Sequence, residues 1–170
     1  MRLGWKGMKP LTDTDIRDSL INASTAEAAR MPLPGLHEVV WAEREYLGWR
    51  DPGSPQRGYL AYWRDGQPVG LVLRASETRL RGGSAICSLC NTAQPANQVT
   101  MFTAQRAGQA GERGDSIGTY ICADLACSLL IRIAPPQYEM QPSPDVVVAT
   151  RASRLAERVD NFVSRVMEDA

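Results

Sequence analysis

Two short stretches carry the reading of this chain: Cys87-Ser88-Leu89-Cys90 and Cys122-Ala123-Asp124-Leu125-Ala126-Cys127. Together they hold all 4 cysteines. A two-residue spacer lets one tight turn aim two sulfurs at a single point, and Gly82 and Gly83 leave the backbone room to bend just ahead of it. The four-residue spacer does something different. It places Cys122 at a strand end and Cys127 in the first turn of the next helix, where free N–H groups and the helix dipole favour a thiolate. Two β-patterned runs, 99–104 and 117–122, lie between the pairs and supply a hairpin. Knuckle, hairpin and helix in that order form a treble clef. Four soft sulfur donors about 2.3 Å from a common centre are what a tetrahedral zinc ion requires. Cys87, Cys90, Cys122 and Cys127 are therefore read as the ligands of one structural Zn2+.

Three other readings compete. A thioredoxin-type dithiol fits poorly, because Cys87 to Cys90 does not open a helix after a strand and the second pair would have no role. A catalytic zinc needs an open position, which four cysteines close. Four buried free thiols are the remaining alternative. A zinc site with four thiolates carries a net charge of about −2. Arg79 and Arg81, just upstream, are candidates to offset it or to donate to sulfur; otherwise they are exposed loop residues. Structural zinc contributes about 10–16 kcal/mol in small peptides, as much as the whole stability of about 5–15 kcal/mol of a typical domain.

The surrounding composition is that of an ordinary globular chain. Its 170 residues are 44% hydrophobic and 22% charged, with 19 basic and 19 acidic side chains and a formal charge of zero. These values exclude a disordered tail, a fibre and a collagen-like repeat, and the bulk charge argues against a polybasic nucleic-acid binder while leaving room for a local basic face. Only Lys6 and Lys9 are lysines, so the cations are almost all Arg, suited to directed contacts with carboxylates or phosphates. The N-terminus lacks the apolar core of a signal peptide, and the apolar run 117–134 is interrupted by Asp124 and Arg132. A cytoplasmic, non-membrane protein with reduced thiols is expected, and Asn22-Ala23-Ser24 is then an incidental glycosylation pattern. Met8 is an alternative start to Met1, since the periodic pattern begins just after it.

The expected fold class is α+β. Residues 1–9 read as a flexible N-terminus, 10–80 as helical segments plus a β-hairpin, 81–134 as the treble-clef zinc finger, and 135–170 as a linker and long C-terminal helix, with 10–170 forming one compact unit. A first helix is expected over 11–29, with Thr12 as N-cap, and a second over 36–49. Strands at 59–63 and 69–73 flank a turn at Asp65-Gly66. The glycine-rich 107–116 reads as a mobile loop, and 124–133 as a short helix stopped by Pro135 and Pro136. In the last helix Ser143 is the cap, Pro144 takes the first position, and Val148, Ala152, Leu155, Val159, Phe162 and Val166 form one apolar stripe.

With these residues in view, the chain resembles the FusB/fibronectin-binding-protein-like family of elongation factor G-binding proteins. The match is carried by Cys87-Ser88-Leu89-Cys90, by Met101-Phe102-Thr103-Ala104-Gln105-Arg106, and above all by Gly118-Thr119-Tyr120-Ile121-Cys122-Ala123-Asp124-Leu125-Ala126-Cys127-Ser128. Pro55-Gln56-Arg57-Gly58-Tyr59-Leu60 and Asp65-Gly66-Gln67-Pro68-Val69-Gly70 add support. The resemblance implies an α/β domain around a zinc site, with Cys87, Cys90, Cys122 and Cys127 at the ligand positions. It implies a non-catalytic adaptor that binds elongation factor G, with the ribosome as a further partner, and that helps the factor leave a ribosome stalled by fusidic acid. The resistance proteins carry an additional N-terminal helical bundle that this chain is expected to lack, so drug resistance itself is not among the expectations.

A binding module draws its energy from a few aromatic and Arg anchors. Phe102, Arg106, Arg113 and Tyr120, on or beside the zinc hairpin, are the candidates, although Phe102 and Tyr120 also suit a core. The alternative function is a zinc-ribbon-like RNA or ribosome-binding module using Arg79, Arg81, Arg106, Arg113 and Arg132. No catalytic constellation emerges. His37 stands alone, Gly108, Gly111 and Gly114 have the wrong spacing for a nucleotide loop, and Glu43 and Glu45 fall on different faces of the expected helix. A monomer with no small-molecule substrate is the expectation.

Overall fold

A computed structural model describes residues 7–133 and 138–168. The first helix, α1 (Asp13–Ser19), begins in a capping box: the Asp15 N–H donates to Thr12 Oγ1 at 3.1 Å and the Thr12 N–H to Asp15 Oδ2 at 2.9 Å. The expected continuous helix over 11–29 is broken. A second box, built by Ser24 and Glu27, restarts the chain as α2 (Thr25–Arg30). Between the two, Leu20 forms a parallel bridge with Gly70, and the Ile21 N–H donates to the Gly70 carbonyl at 3.0 Å. Pairing with a strand outweighs one more turn of helix. The Arg17 guanidinium then folds the helices together, donating to the carbonyls of Ala28 at 2.6 Å and Met31 at 2.8 Å.

The helix expected over 36–49 is also replaced. Two single 3₁₀ turns, Leu36–Glu38 and Trp41–Glu43, lead into strand β1 (Leu47–Arg50). Val39, Val40 and Trp41 are weak helix formers, and pairing of β1 with β2 (Arg57–Arg64) decides the outcome. The expected hairpin is present: β2 and β3 (Gln67–Ala75) join through Asp65 and Gly66, both at positive φ, 49° and 78°. Next come the short pair β4 (Ser84–Ile86) and β5 (Ala93–Pro95), then β6 (Val99–Gln105) and β7 (Ser116–Cys122). The 107–116 segment is not a bare loop. It contains a helical turn, α3 (Gly108–Glu112), held by the Gln105 amide donating to the Gly111 carbonyl at 2.6 Å. The helix expected over 124–133 shortens to α4 (Cys127–Leu130), and α5 (Pro144–Met167) starts at Pro144, with Ser143 at the N-cap position but making no side-chain cap bond. Pro135 and Pro136 lie outside the described residues. So do residues 1–6 of the expected flexible N-terminus. Of the remainder of that stretch, Met8 is docked: it is buried and its N–H donates to the Trp41 carbonyl at 3.0 Å.

Among the described residues β1, β2, β3, β6 and β7 form one antiparallel sheet in the order β1-β2-β3-β6-β7, and β4 and β5 pair separately. The finger's hairpin thus continues the sheet begun at β1, and the expected division at 80/81 runs through one sheet. Period-two alternation assigns the faces. Tyr62, facing one side, donates to Asp160 of α5 at 2.8 Å. Gly70, facing the other, touches Ser19 and Leu20 at the end of α1. The result is three layers: α1 and α2, the sheet, and α5, whose Leu155, Val159, Val163 and Val166 are fully buried.

The seam between β3 and β6 is short. Two residue pairs are in register, Arg74 with Thr103 and Ala75 with Phe102. Where the ladder would continue, the Asn22 side chain is inserted. It accepts the Val72 N–H at 2.8 Å and donates to the carbonyls of Val72 at 2.9 Å and Gln105 at 3.1 Å. An amide side chain stands in for a missing strand-to-strand bond, so Asn22 is committed to the fold. Replacement of Asn22 by Ala leaves these backbone groups unpaired and is expected to lower stability by about 2 kcal/mol in urea unfolding. Asn22→Asp, which cannot donate to either carbonyl, is expected to be at least as damaging.

Candidate metal centre

Cys87 follows β4 directly, and the chain reverses at once. The Asn91 N–H donates to the Cys87 carbonyl at 2.9 Å, and Asn91 sits at φ 56° to close the knuckle before β5. Within the turn the N–H groups of Leu89 and Cys90 point at Cys87 Sγ, 3.4 and 3.5 Å away. On the other side, Cys122 is the last residue of β7 and Cys127 the first of α4. The link between them is a tight turn: Leu125 at φ 58° donates to the Cys122 carbonyl at 2.8 Å, and Asp124 Oδ1 accepts the Ala126 N–H at 3.0 Å.

The two pairs converge. Cys87 Sγ lies 3.6 Å from Cys127 Sγ, Cys90 Sγ lies 3.6 Å from Cys122 Sγ, and all four sulfurs fall within 4.8 Å of one another, every one of them buried. Zinc–sulfur bonds of 2.3 Å in a tetrahedron demand sulfur–sulfur edges of about 3.8 Å. The donor set, the distances and the dry surroundings all fit Zn2+. Cys87, Cys90, Cys122 and Cys127 would hold such an ion, which would cross-link knuckle to sheet.

The thiol electrostatics show why a cation belongs at this point. Hydrogen bonds from the Cys122 and Cys127 thiols draw Cys87 and Cys90 below the ordinary thiol range. Cys127 is driven well above it by the reciprocal bonds to Cys122, Cys87 and Cys90 and by burial. For Cys122 the bond with Cys127 acts downward, but those to Cys87 and Cys90, with burial, outweigh it. Four crowded sulfurs thus share protons until a divalent ion replaces them.

The supports around the sulfurs come from parts of the chain that sequence patterns did not single out. The Gln94 amide donates to Cys122 Sγ at 3.3 Å. The Cys127 N–H donates to the Tyr46 hydroxyl at 3.4 Å, and burial together with the Cys127 sulfur pushes that phenol well above its usual range. One residue earlier, the Glu45 N–H donates to Ser128 Oγ at 3.0 Å, while Arg132 clasps the Glu45 carboxylate at 2.8 Å. Burial pushes the Glu45 carboxyl up, against the pull of Arg132 and Ser128. From α5, Arg158 donates to the Leu89 carbonyl at 3.1 Å, inside the knuckle. The segment expected to be helical is thus a strap of the metal centre. Its strand alternation, Leu47-Gly48-Trp49-Arg50, was the signal available.

The remaining sequence candidates separate. Arg79 and Arg81 are exposed, and no hydrogen bond to sulfur among the described residues comes from either. Phe102 is 0% exposed, beneath the Arg50 guanidinium 5.2 Å from its ring centroid, so it is a core residue and offers no contact surface. Arg106 ties the hairpin to the end of α5 through the Glu168 carbonyl at 3.0 Å. Arg132, expected in the RNA reading, is engaged with Glu45. Tyr120 is 40% exposed and Arg113 is exposed, both on the hairpin side of the finger.

Two outcomes test the centre. Purified protein is expected to carry one zinc per chain by mass spectrometry, and chelation at neutral pH is expected to unfold at least the C-terminal half, seen as loss of the cooperative melt. Gln94→Leu removes a donor to sulfur while keeping side-chain bulk. It is expected to weaken zinc retention about tenfold in a competition titration against a chromogenic chelator.

Comparison with known proteins agrees with this geometry. No curated protein matches the chain. Among solved structures, that of the fusidic acid resistance protein FusC superposes with a TM-score of 0.50 at 17% identity, covering 84% of this chain and 57% of that one. Such a likeness shows the fold, and the chain spans little more than half the length of that protein. The family model described as the FBP C-terminal treble-clef zinc-finger matches residues 15–166, from within α1 to the end of α5. The chain therefore belongs to the FBP C-terminal treble-clef zinc-finger family.

Proposed function

We propose that this protein is a non-catalytic, cytoplasmic adaptor that binds elongation factor G through a surface organised by its zinc centre. The observation that carries the reading is the closed, buried set of four cysteines. It leaves no coordination position for a substrate, so the metal's contribution is architectural and the working parts are on the surface. Membership of the treble-clef family and the fold shared with the fusidic acid resistance protein FusC support the choice of partner. Among the described residues no helix is long and apolar enough to cross a membrane.

The surface best placed for docking is the outer side of the β6–β7 hairpin. Tyr120 stands there opposite Met101, a half-exposed aromatic beside a flexible thioether, with Arg113 at the hairpin's far end. The RNA-binding alternative is weakened on two counts. The chain has a formal charge of zero, and Arg106 and Arg132 are engaged within the fold.

A pull-down with purified elongation factor G tests the proposal. Zinc-loaded protein is expected to form a complex at micromolar concentration, and chelated protein is expected to lose it. Tyr120→Ala is expected to weaken the complex about tenfold with zinc content unchanged, the loss of one aromatic anchor. Absence of a complex, or steeply salt-dependent binding to ribosomal RNA in its place, would overturn the reading.

A further inference from the structure

We propose that a groove of about 840 Å³ at the uncovered end of the α1/α2 face of the sheet binds an acidic polypeptide segment, with Arg57 and Arg74 taking its carboxylates. The register places Arg57 directly opposite Arg74 across β2 and β3. Residues so paired share a face with Cβ atoms about 5 Å apart, and like charges at such positions repel. Neither guanidinium has a carboxylate partner among the described ion pairs. Arg57 is steadied by the Tyr59 hydroxyl, its neighbour on the same face, which itself donates to Asp51 at 3.1 Å. One carboxylate, Glu27, lines the groove and accepts the Ser24 N–H at 3.1 Å, and Glu77 accepts from the lining Gln56 amide at 2.8 Å. A repulsive pair is therefore built into a groove that sets two cations against the single carboxylate of Glu27, and an anionic ligand removes the repulsion.

The walls decide which anion. Asn22, Gln56, Thr103, Gln105 and Ser116 add neutral amide and hydroxyl groups around the two cations. Planar guanidiniums with such neighbours match pairs of carboxylates presented on an extended chain. No aromatic side chain lines the groove, so the stacking platform on which single-stranded nucleic acid depends is missing. The formal charge of zero likewise offers no general attraction for a phosphate backbone. By the same alternation, Tyr120 faces this side of the sheet, two strands away from Arg74. The groove and the hairpin surface thus form one continuous face, and the inference rests on the docking reading in that the acidic segment belongs to the docked protein.

The test uses the full, zinc-loaded chain and fluorescence anisotropy with a labelled oligoglutamate peptide, alongside an oligouridylate of matched charge. Peptide binding is expected, about tenfold weaker in the Arg57→Ala/Arg74→Ala variant, the sum of two partly exposed ion pairs, and lost in Arg57→Glu/Arg74→Glu. Both arginines are exposed, so the variants are expected to keep their zinc and their melting temperature. Arg154→Glu, an exposed site on α5, controls for bulk charge and is expected to leave binding unchanged. Absent peptide binding, indifference to the paired substitutions, or tighter oligouridylate binding through the same arginines would overturn the proposal. A chain that binds the peptide but captures no elongation factor G keeps the groove and removes the partner assigned above. One that captures the factor equally well after charge reversal removes the groove from docking and leaves the partner standing.

Discussion

Four sulfurs within 4.8 Å of one another, all buried, are an arrangement that a cation among them would hold together. Cysteines so close cannot all ionise in a dry interior, and none can leave without breaking a turn. Everything near the C-terminal half follows from that constraint. Among the described residues the β4–β5 pair joins no strand of the main sheet, and α4 is a helix of 4 residues, too short to hold itself. A sulfur at the root of each would share an ion with the end of β7, adding to the Ser88 N–H bond to the Tyr120 carbonyl at 2.7 Å.

The N-terminal half meets that centre with little room to spare. Leu125, at the apex of the second metal turn, packs into the sheet where β1 and β2 carry Gly48 and Gly58. A Cβ at Gly48 would lie 2.4 Å from the Leu125 carbonyl oxygen, and one at Gly58 would lie 2.7 Å from Leu125 Cδ1. Glycine is required at Gly48, where backbone blocks a Cβ, whereas at Gly58 the Leu125 methyl would have to shift. Arg50 completes the seam by donating to the Ala123 carbonyl at 2.6 Å. On the opposite side α5 binds the finger along its length. Arg151 reaches the Ile131 carbonyl at 3.3 Å, Arg158 reaches the knuckle, and the Val166 carbonyl accepts the Ala107 N–H at 2.9 Å. Arg151 and Arg158 of this helix thus act as backbone ties.

The two sheet faces have therefore been put to different uses. The face under α5 is saturated by Leu60, Leu71, Leu73, Phe102 and Ile121, all buried. The other is covered by α1 and α2 only near β1 to β3 and stays open toward β6 and β7. The open part carries Arg57, Arg74, Thr103 and Tyr120, a mixture with no packing purpose. A rigid, metal-anchored sheet presenting a polar and aromatic face has the physical character of a docking surface, whose side chains are held in place before the partner arrives.

The cluster of four cysteines was legible in the linear sequence, because cysteine spacing is a local property: a two-residue turn and a strand-to-helix junction each aim their sulfurs without help from afar. The β2–β3 hairpin, the β6–β7 pair and the long final helix were legible for the same reason, through Asp65-Gly66, β-branched alternation and an apolar stripe. What only the tertiary structure decided was everything set by contacts between distant residues. The chain at 36–49 became turns and a strand because β2 and Leu125 compete for it. The helix over 11–29 broke because Leu20 and Ile21 bond to Gly70. Phe102 went inside under Arg50, while Gln94 and Tyr46 came to the sulfurs from positions that no local pattern marks. Local propensities are worth tenths of a kcal/mol per residue, and burial of one large side chain is worth about 2 kcal/mol, so packing overrides pattern wherever the two disagree.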